Sequence, residues 1–238
     1  MNDPEVCEAK VDFETFITDT RISVADLCRE IFRGNPGAIR IKKESIAVKN
    51  LVALYNATLK LSAEKGFHAM TLRDLCRESG LSMGALYSYI TCKEDLLNIL
   101  QNFGLQYISR KLMAAVETTA SPAETLHTLI RTHIFLSEAL PELFTFFFME
   151  SKNLGRDTQR VLIAAELYTE QMICRILEDG NRSGKFHVTD PLMIAAHIKP
   201  LLQDWYLKRW KYSSRGVTVD DYAASVIAFV DAGLKPFI

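Results

Sequence analysis

Apolar residues recur at intervals of three and four along most of the chain, as at Val48, Leu51, Val52, Tyr55 and Leu59, the spacing that lines one face of a helix. No run alternates apolar and polar positions between hairpin turns, so no sheet is expected. The polar residues between the stripes mark helix starts. Ser121-Pro122-Ala123-Glu124 combines an N-cap, a first-turn proline and a capping-box glutamate. Asp190-Pro191 and Thr218-Val219-Asp220-Asp221 are start signals of the same kind. Stops are expected at Gly66, Gly80, Gly155, Gly180 and Gly184, because glycine tolerates positive φ.

The pattern predicts an all-α chain. An acidic extension over 1–40, helical at 24–32, ends in the turn Asn35-Pro36-Gly37. A long helix over 44–65 is followed by short ones at 72–79 and 82–90 and by another opening near Cys92. Further helices are expected at 96–118, 122–139, 141–153, 156–179, 191–212 and 219–234. No flexible linker interrupts them, so the helix from Cys92 should run or kink directly into the second part. One pentapeptide repeats: Asp26-Leu27-Cys28-Arg29-Glu30 returns as Asp74-Leu75-Cys76-Arg77-Glu78. It reads as generic helix composition rather than a duplicated motif.

Charge sharpens the division. Arg40 to Lys93 holds nine Lys/Arg and four Asp/Glu, a net of +5, which leaves −6 for the rest of a chain whose total is −1. Phosphate binding by one part requires such a basic module, and a solvated charged surface gives the same count. The five cysteines are odd in number and include no Cys-x-x-Cys pair, which points to a reducing cytosol rather than to disulfides or zinc. The N-terminal MNDPEVCEAK is acidic and has no signal-peptide core. The most apolar stretch, 140–149, is too short to span a membrane and is broken by Glu142.

The segment Gly66 to Leu97, GFHAMTLRDLCRESGLSMGALYSYITCKEDLL, carries the chemistry. Thr71 caps a short helix with Asp74 at the capping-box position, and Leu72, Leu75 and Cys76 form its apolar stripe. Gly80 makes a tight turn, Leu81 plugs the corner, and Ser82 caps a second helix whose Leu86 and Ile90 face inward. Two short helices crossing over a glycine turn form a helix-turn-helix, whose second helix enters the major groove N-terminus first. Small Gly84 and Ala85 allow close approach to base edges, and Ala85 or Met83 suits a thymine methyl. Tyr87, Ser88 and Tyr89 offer hydroxyls to phosphates. Thr91-Cys92-Lys93-Glu94 opens the next helix and presents Lys93, while Arg73 reaches a guanine edge or the backbone. Arg40, Lys42 and Lys43 form either a basic arm along the DNA or a solvated helix start.

This segment resembles the TetR family of regulators over about residues 44–97. Gly66-Phe67, Thr71, Leu86-Tyr87, Tyr89 and Lys93-Glu94-Asp95-Leu96-Leu97 fit the family pattern in order and spacing. Ile90 stands where phenylalanine is usual, and Cys92 where serine or asparagine is. The resemblance implies DNA contacts at Thr71, Arg73, Ser82, Met83, Gly84, Ala85, Tyr87, Ser88, Tyr89 and Lys93. It also implies a helix-turn-helix domain at 41–97 and a helical effector-binding and dimerisation domain at 98–238, with a homodimer interface at about 191–234. The expected function is a cytoplasmic repressor on double-stranded, palindromic DNA, released by a small hydrophobic or aromatic effector. No membrane association is expected.

The second half shows no shared motif of its own. The run Leu143-Phe144-Thr145-Phe146-Phe147-Phe148-Met149 is too aromatic for every ring to face one core. Candidate effector contacts are Tyr107, His133, Phe144, Phe147, Phe148, Tyr168, His197 and Trp205. The segment 205–211 mixes aromatic and basic residues, either to receive an anion such as an acyl thioester of coenzyme A or as a solvent-edge helix with snorkelling lysines. No Ser/His/Asp order, metal spacing or phosphate loop is visible, so neither an enzyme nor a cofactor is expected. The alternatives are a helical enzyme using His133 with Glu138 or Glu150, and an adaptor that does not bind DNA.

Overall fold

The computed structural model describes residues 11–34, 39–150 and 156–234, without the side chains of 156–158. Its helices are α1 (Phe13–Thr20), α2 (Val24–Gly34), α3 (Glu44–Lys65), α4 (Leu72–Ser79), α5 (Met83–Leu86), α6 (Lys93–Ile99), α7 (Leu105–Val116), α8 (Pro122–Ala139), α9 (Pro141–Glu150), α10 (Arg156–Arg182), α11 (Pro191–Leu207), α12 (Arg209–Ser213) and α13 (Val219–Leu234). A π-helical turn, Leu100–Gly104, joins α6 to α7 without a break in the helix. The all-α expectation holds. The expected turn at 35–37, the stop at Gly155 and the end of the 141–153 helix lie outside the described residues.

Helix α8 is the axis of the body. Leu126, Leu129, Ile130, Ile134, Phe135 and Leu136 are all buried on it. An apolar helix buried on several sides requires neighbours all round, and α7, α9, α10, α11 and α13 supply them. The extension is part of this packing. Phe13 and Phe16 of α1 meet Phe135 with ring centres 5.5 and 5.3 Å apart, and the Phe13 N–H donates to Asp220 at 3.0 Å. Helix α2 lies on α3, with Leu27, Cys28 and Ile31 buried.

The repeated pentapeptide now has a physical meaning. Ser23 caps Asp26 as Thr71 caps Asp74, each aspartate N–H reaching the cap hydroxyl at 3.1 Å. Arg29 then pairs with Asp26, and Arg77 with Asp74. Leu27 and Leu75 are each completely buried. Two capped amphipathic helices flanking α3 have converged on the same five residues.

Three boundaries differ from expectation. The second short helix stops at Leu86 rather than 90, because Ser88 and Tyr89 tighten onto the carbonyls three residues back at 3.0 and 2.9 Å. Helix α10 runs through Gly180 to Arg182. The glycine serves close packing there, since a Cβ would lie 1.8 Å from the Phe186 ring. The 191–212 helix breaks at Lys208 into α11 and α12. Gly66, Gly80 and Gly184 do adopt the positive φ expected of stops.

Candidate nucleic-acid interface and helical-body cavity

The helix-turn-helix is assembled by local polar bonds. The Thr71 hydroxyl donates to Asp74 at 2.8 Å and accepts from the Asp74 N–H at 3.1 Å. Asp74 also receives Lys65 at 2.6 Å and Arg77 at 2.7 Å. The Lys65 ammonium first, then the Thr71 donors, hold its carboxyl well below the usual range. Gly80 turns the chain at φ +72°, and Ser82 caps α5 by accepting from the Ala85 N–H at 3.1 Å. Asp95 closes the next start, accepting from the Thr91 N–H at 2.7 Å and the Cys92 N–H at 3.1 Å. Leu86, Tyr89 and Ile90 anchor the recognition segment in the core. The Arg40 N–H donates to the Ser88 carbonyl at 2.9 Å, so the basic arm is tied to the end of that segment.

The outward face carries most of the expected contacts. Thr71, Arg73, Ser82, Gly84 and Tyr87 are exposed, and Ala85 and Ser88 are half-buried beside them. A Cβ on Gly84 would meet nothing within 4 Å, so the backbone there is open to a ligand. Lys93 is half-buried. Its ammonium donates to the His68 carbonyl at 2.8 Å and lies 5.3 Å from the Phe67 ring centre, bracing the turn before α4. Two expectations need correction. Tyr89 is 3% exposed and its hydroxyl accepts from Asn50 at 2.9 Å, so it positions the segment from below rather than reaching a phosphate. Met83 is half-buried, its sulfur 4.0 Å from that of Cys76, and it packs between α4 and α5. Asn50 was missed because it is one polar residue in a long helix, with nothing local to mark its partner 39 positions away.

In the body, a cavity of about 290 Å³ opens between α7, α8, α9, α10 and α11. His133, Phe144, Phe147 and Phe148 line it, as expected. Phe144 meets His133 and Tyr206 with ring centres 5.4 Å away in each case. The other four candidates lie elsewhere. Tyr107 is buried outside the cavity, with the Lys111 ammonium 5.5 Å from its ring centre. Tyr168 is on the surface, its hydroxyl 3.3 Å from the Met113 sulfur. His197 is exposed. Trp205 donates to Glu138 at 2.9 Å and stacks on Tyr212. All four are aromatic residues, and composition alone placed them in the pocket.

The wall holds groups that sequence reasoning passed over: Lys199, Glu166, Gln203 and Tyr206. Lys199 is buried, and its ammonium lies 3.3 Å from Glu166. Gln203 donates to the same carboxylate at 2.6 Å. Burial lowers the Lys199 pKa, and it keeps His133 neutral by pushing its pKa well down, with the Lys199 charge acting in the same sense. No local signal marks Lys199, which sits in the apolar run of α11. In the 205–211 segment, Lys208 and Lys211 pair with Asp204 at 2.6 and 2.7 Å, and Arg209 pairs with Glu138. Each of these cations already has a carboxylate partner, which favours the solvent-edge reading over an anion site. Among the described residues no helix is long and apolar enough to cross a membrane.

Two family models cover most of the folded chain. Residues 54–100 match the model described as bacterial regulatory proteins of the tetR family, and residues 119–234 match the tetracyclin repressor-like C-terminal domain. The transcriptional repressor KstR2 of Rhodococcus jostii is 28% identical over 186 residues, covering 76% of this chain and 89% of its own. A tetR-family regulatory protein from Rhodococcus RHA1 superposes with a TM-score of 0.69 at 21% identity, over 80% of this chain and 99% of its own. AibR, solved with isovaleryl coenzyme A and operator DNA, superposes with a TM-score of 0.66 at 19% identity, over 79% of this chain and 100% of its own. These relatives are named as regulators, which sets aside the helical-enzyme alternative. With a helix-turn-helix at one end, a cavity-bearing helical body at the other and a matching model over each, the chain belongs to the TetR family of DNA-binding transcriptional regulators, which are not enzymes.

Proposed function

We propose that the chain is a homodimeric cytoplasmic repressor. Each copy presents the α4–α5 face to one half of a near-palindromic operator, and a small molecule of apolar or aromatic character in the body cavity releases the DNA. The observation that carries this reading is the open face of Thr71, Arg73, Ser82, Gly84 and Tyr87, small, hydroxylic or basic residues on the outside of a rigidly capped helix pair. Such residues make poor packing and good groove surface. KstR2 is named as a repressor, which supports the sign of the control, and AibR, solved with both a small molecule and operator DNA, supports a regulator of this fold that takes both kinds of partner.

The dimer is assigned to α11 and α13. Leu192 and Met193 at the start of α11, and Phe229 on α13, are each more than half exposed, an apolar surface that a two-fold partner would cover. Two-fold pairing would place the recognition segments one DNA turn apart, about 34–36 Å. A ligand wedged between α7 and α9 would alter that separation through the π-helical turn, provided it binds the two states with unequal affinity. The test is a mobility shift of DNA from the promoter region next to the gene, with mass measured by light scattering. A sequence-selective shift by a dimer is expected. Tyr87→Ala should weaken it at least tenfold, about 1.4 kcal/mol. Unchanged binding by that variant, or a monomer on DNA, would overturn the reading.

A further inference from the structure

The body cavity is mostly apolar, yet it carries two buried nitrogen groups with little to hold. Lys199 on α11 is 5% exposed, and its ion-pair partner among the described residues is Glu166, at 3.3 Å. An ammonium has three N–H donors, so one pairing leaves it capacity to donate. His133 on α8 is 3% exposed, and its Nδ1 has no hydrogen-bond partner among the described residues. Both residues line the cavity, together with Phe144, Phe147 and Leu162. A buried polar group with donors to spare is costly, so Lys199 marks where a ligand's polar atom belongs, while the His133 Nδ1 is itself covered by protein.

Charge narrows the choice of atom. Glu166, half exposed at the rim, already balances Lys199 and is fixed by Gln203 at 2.6 Å. A second carboxylate would face Glu166 with the neutralising ammonium already engaged. A pure hydrocarbon would leave the spare ammonium donors unanswered. Size narrows it further: a cavity of about 290 Å³ is at the small end for ligand pockets.

We propose that this cavity selects a small uncharged molecule with an apolar body and one carbonyl oxygen, which accepts from Lys199, and that Glu166 discriminates against carboxylates. The proposal rests on the regulator reading and gives its effector a chemical class. The test titrates the full-length protein by calorimetry with 4-phenyl-2-butanone, 3-phenylpropionate and n-butylbenzene, which share an aromatic body and differ at the polar end. Operator binding is measured on the same samples. The ketone should bind at least about tenfold tighter than either of the others. Lys199→Met should erase its advantage over the hydrocarbon. Glu166→Gln, which can still accept from Gln203, should raise the acid relative to the hydrocarbon at least about tenfold. If Lys199→Met fails to fold, the wild-type ranking and Glu166→Gln still decide. The proposal is overturned if the acid binds wild type most tightly, if the hydrocarbon matches the ketone, or if none of the three binds. Failure of the ligand-free protein to bind operator counts against the regulator reading instead, and the ligand ranking still decides this one.

Discussion

The helix starts of the head are capped within three or four residues, whereas several polar side chains of the body find their partners across the fold. In the head, Thr71 answers Asp74, Ser82 answers Ala85 and Thr91 answers Asp95. In the body, Glu138 takes Trp205 from 67 positions away, Glu166 takes Gln203 from 37, and His127 pairs with Asp231 from 104. Local pairing makes the head a rigid reader whose shape depends little on its surroundings. Pairing at a distance makes the body sensitive to anything that separates its helices, which suits a sensor. The same contrast predicts that damage to the body should be felt as lost stability and damage to the head's face as lost recognition.

The largest effect should come from the body. Phe135 is buried where α1 rests on α8, touching both Phe13 and Phe16. Phe135→Ala should cost about 3–5 kcal/mol of unfolding free energy, by the lost burial and the cavity it leaves. Denaturant unfolding measures this. Operator affinity of the protein that remains folded should change less than about threefold. A larger loss of affinity would mean that the extension and α8 control the head directly, and the division drawn above would fail.

The opposite substitution sharpens the comparison. Gly84 has open space where a Cβ would project. Gly84→Glu should therefore fold with its melting temperature close to wild type, while placing a negative charge and a bulky side chain against the groove. Operator binding should fall at least about a hundredfold, about 2.8 kcal/mol. A melting curve and a binding isotherm on one preparation separate the two quantities. Binding that survives this change would remove α5 from the interface.

What could be read in the sequence follows the same line. The caps at Thr71, Ser82 and Ser121 and the stops at Gly66 and Gly80 were legible because each is a local rule, obeyed within one turn of helix. The family pattern added its force in the same segment. Tyr89 misled because a tyrosine at a helix end offers its hydroxyl equally to phosphate or to a buried amide, and Asn50 decided the matter from another helix. Tyr107, Tyr168, His197 and Trp205 misled because an aromatic ring gives no local sign of whether it faces core, surface or cavity. Lys199 was invisible, since one lysine in an apolar helix gives no hint that a glutamate on α10 will hold it in the core.

The smallest expected effect tests whether the head's local caps are stabilising at all. Asp74 and Asp95 both have pKa values below their ordinary ones. Lys65 is the leading cause for the first, and the Thr91 hydroxyl for the second. A carboxylate whose folded pKa is depressed stabilises the folded state fully above its unfolded value, near pH 4, and loses that contribution as pH falls through the folded value. Both side chains are near the surface, so solvent and salt discount each contribution. In urea unfolding, the midpoint should therefore drop between about pH 5 and pH 2. Asp74→Asn and Asp95→Asn should each start lower at neutral pH and lose less on acidification, converging on wild type at the acid end. The neutral His133 adds a term of the same sign in the body, because a folded pKa held below the unfolded value means that protons favour the unfolded chain. Its window is higher: that stability is complete above the unfolded histidine value, near pH 6.5, and declines below it. A fall that begins near pH 6.5 is thus the signature of the body, and one that begins near pH 5 that of the head. If the two aspartate variants shift the upper window instead of the lower, the caps and the buried imidazole are coupled, and head and body do not titrate as separate units.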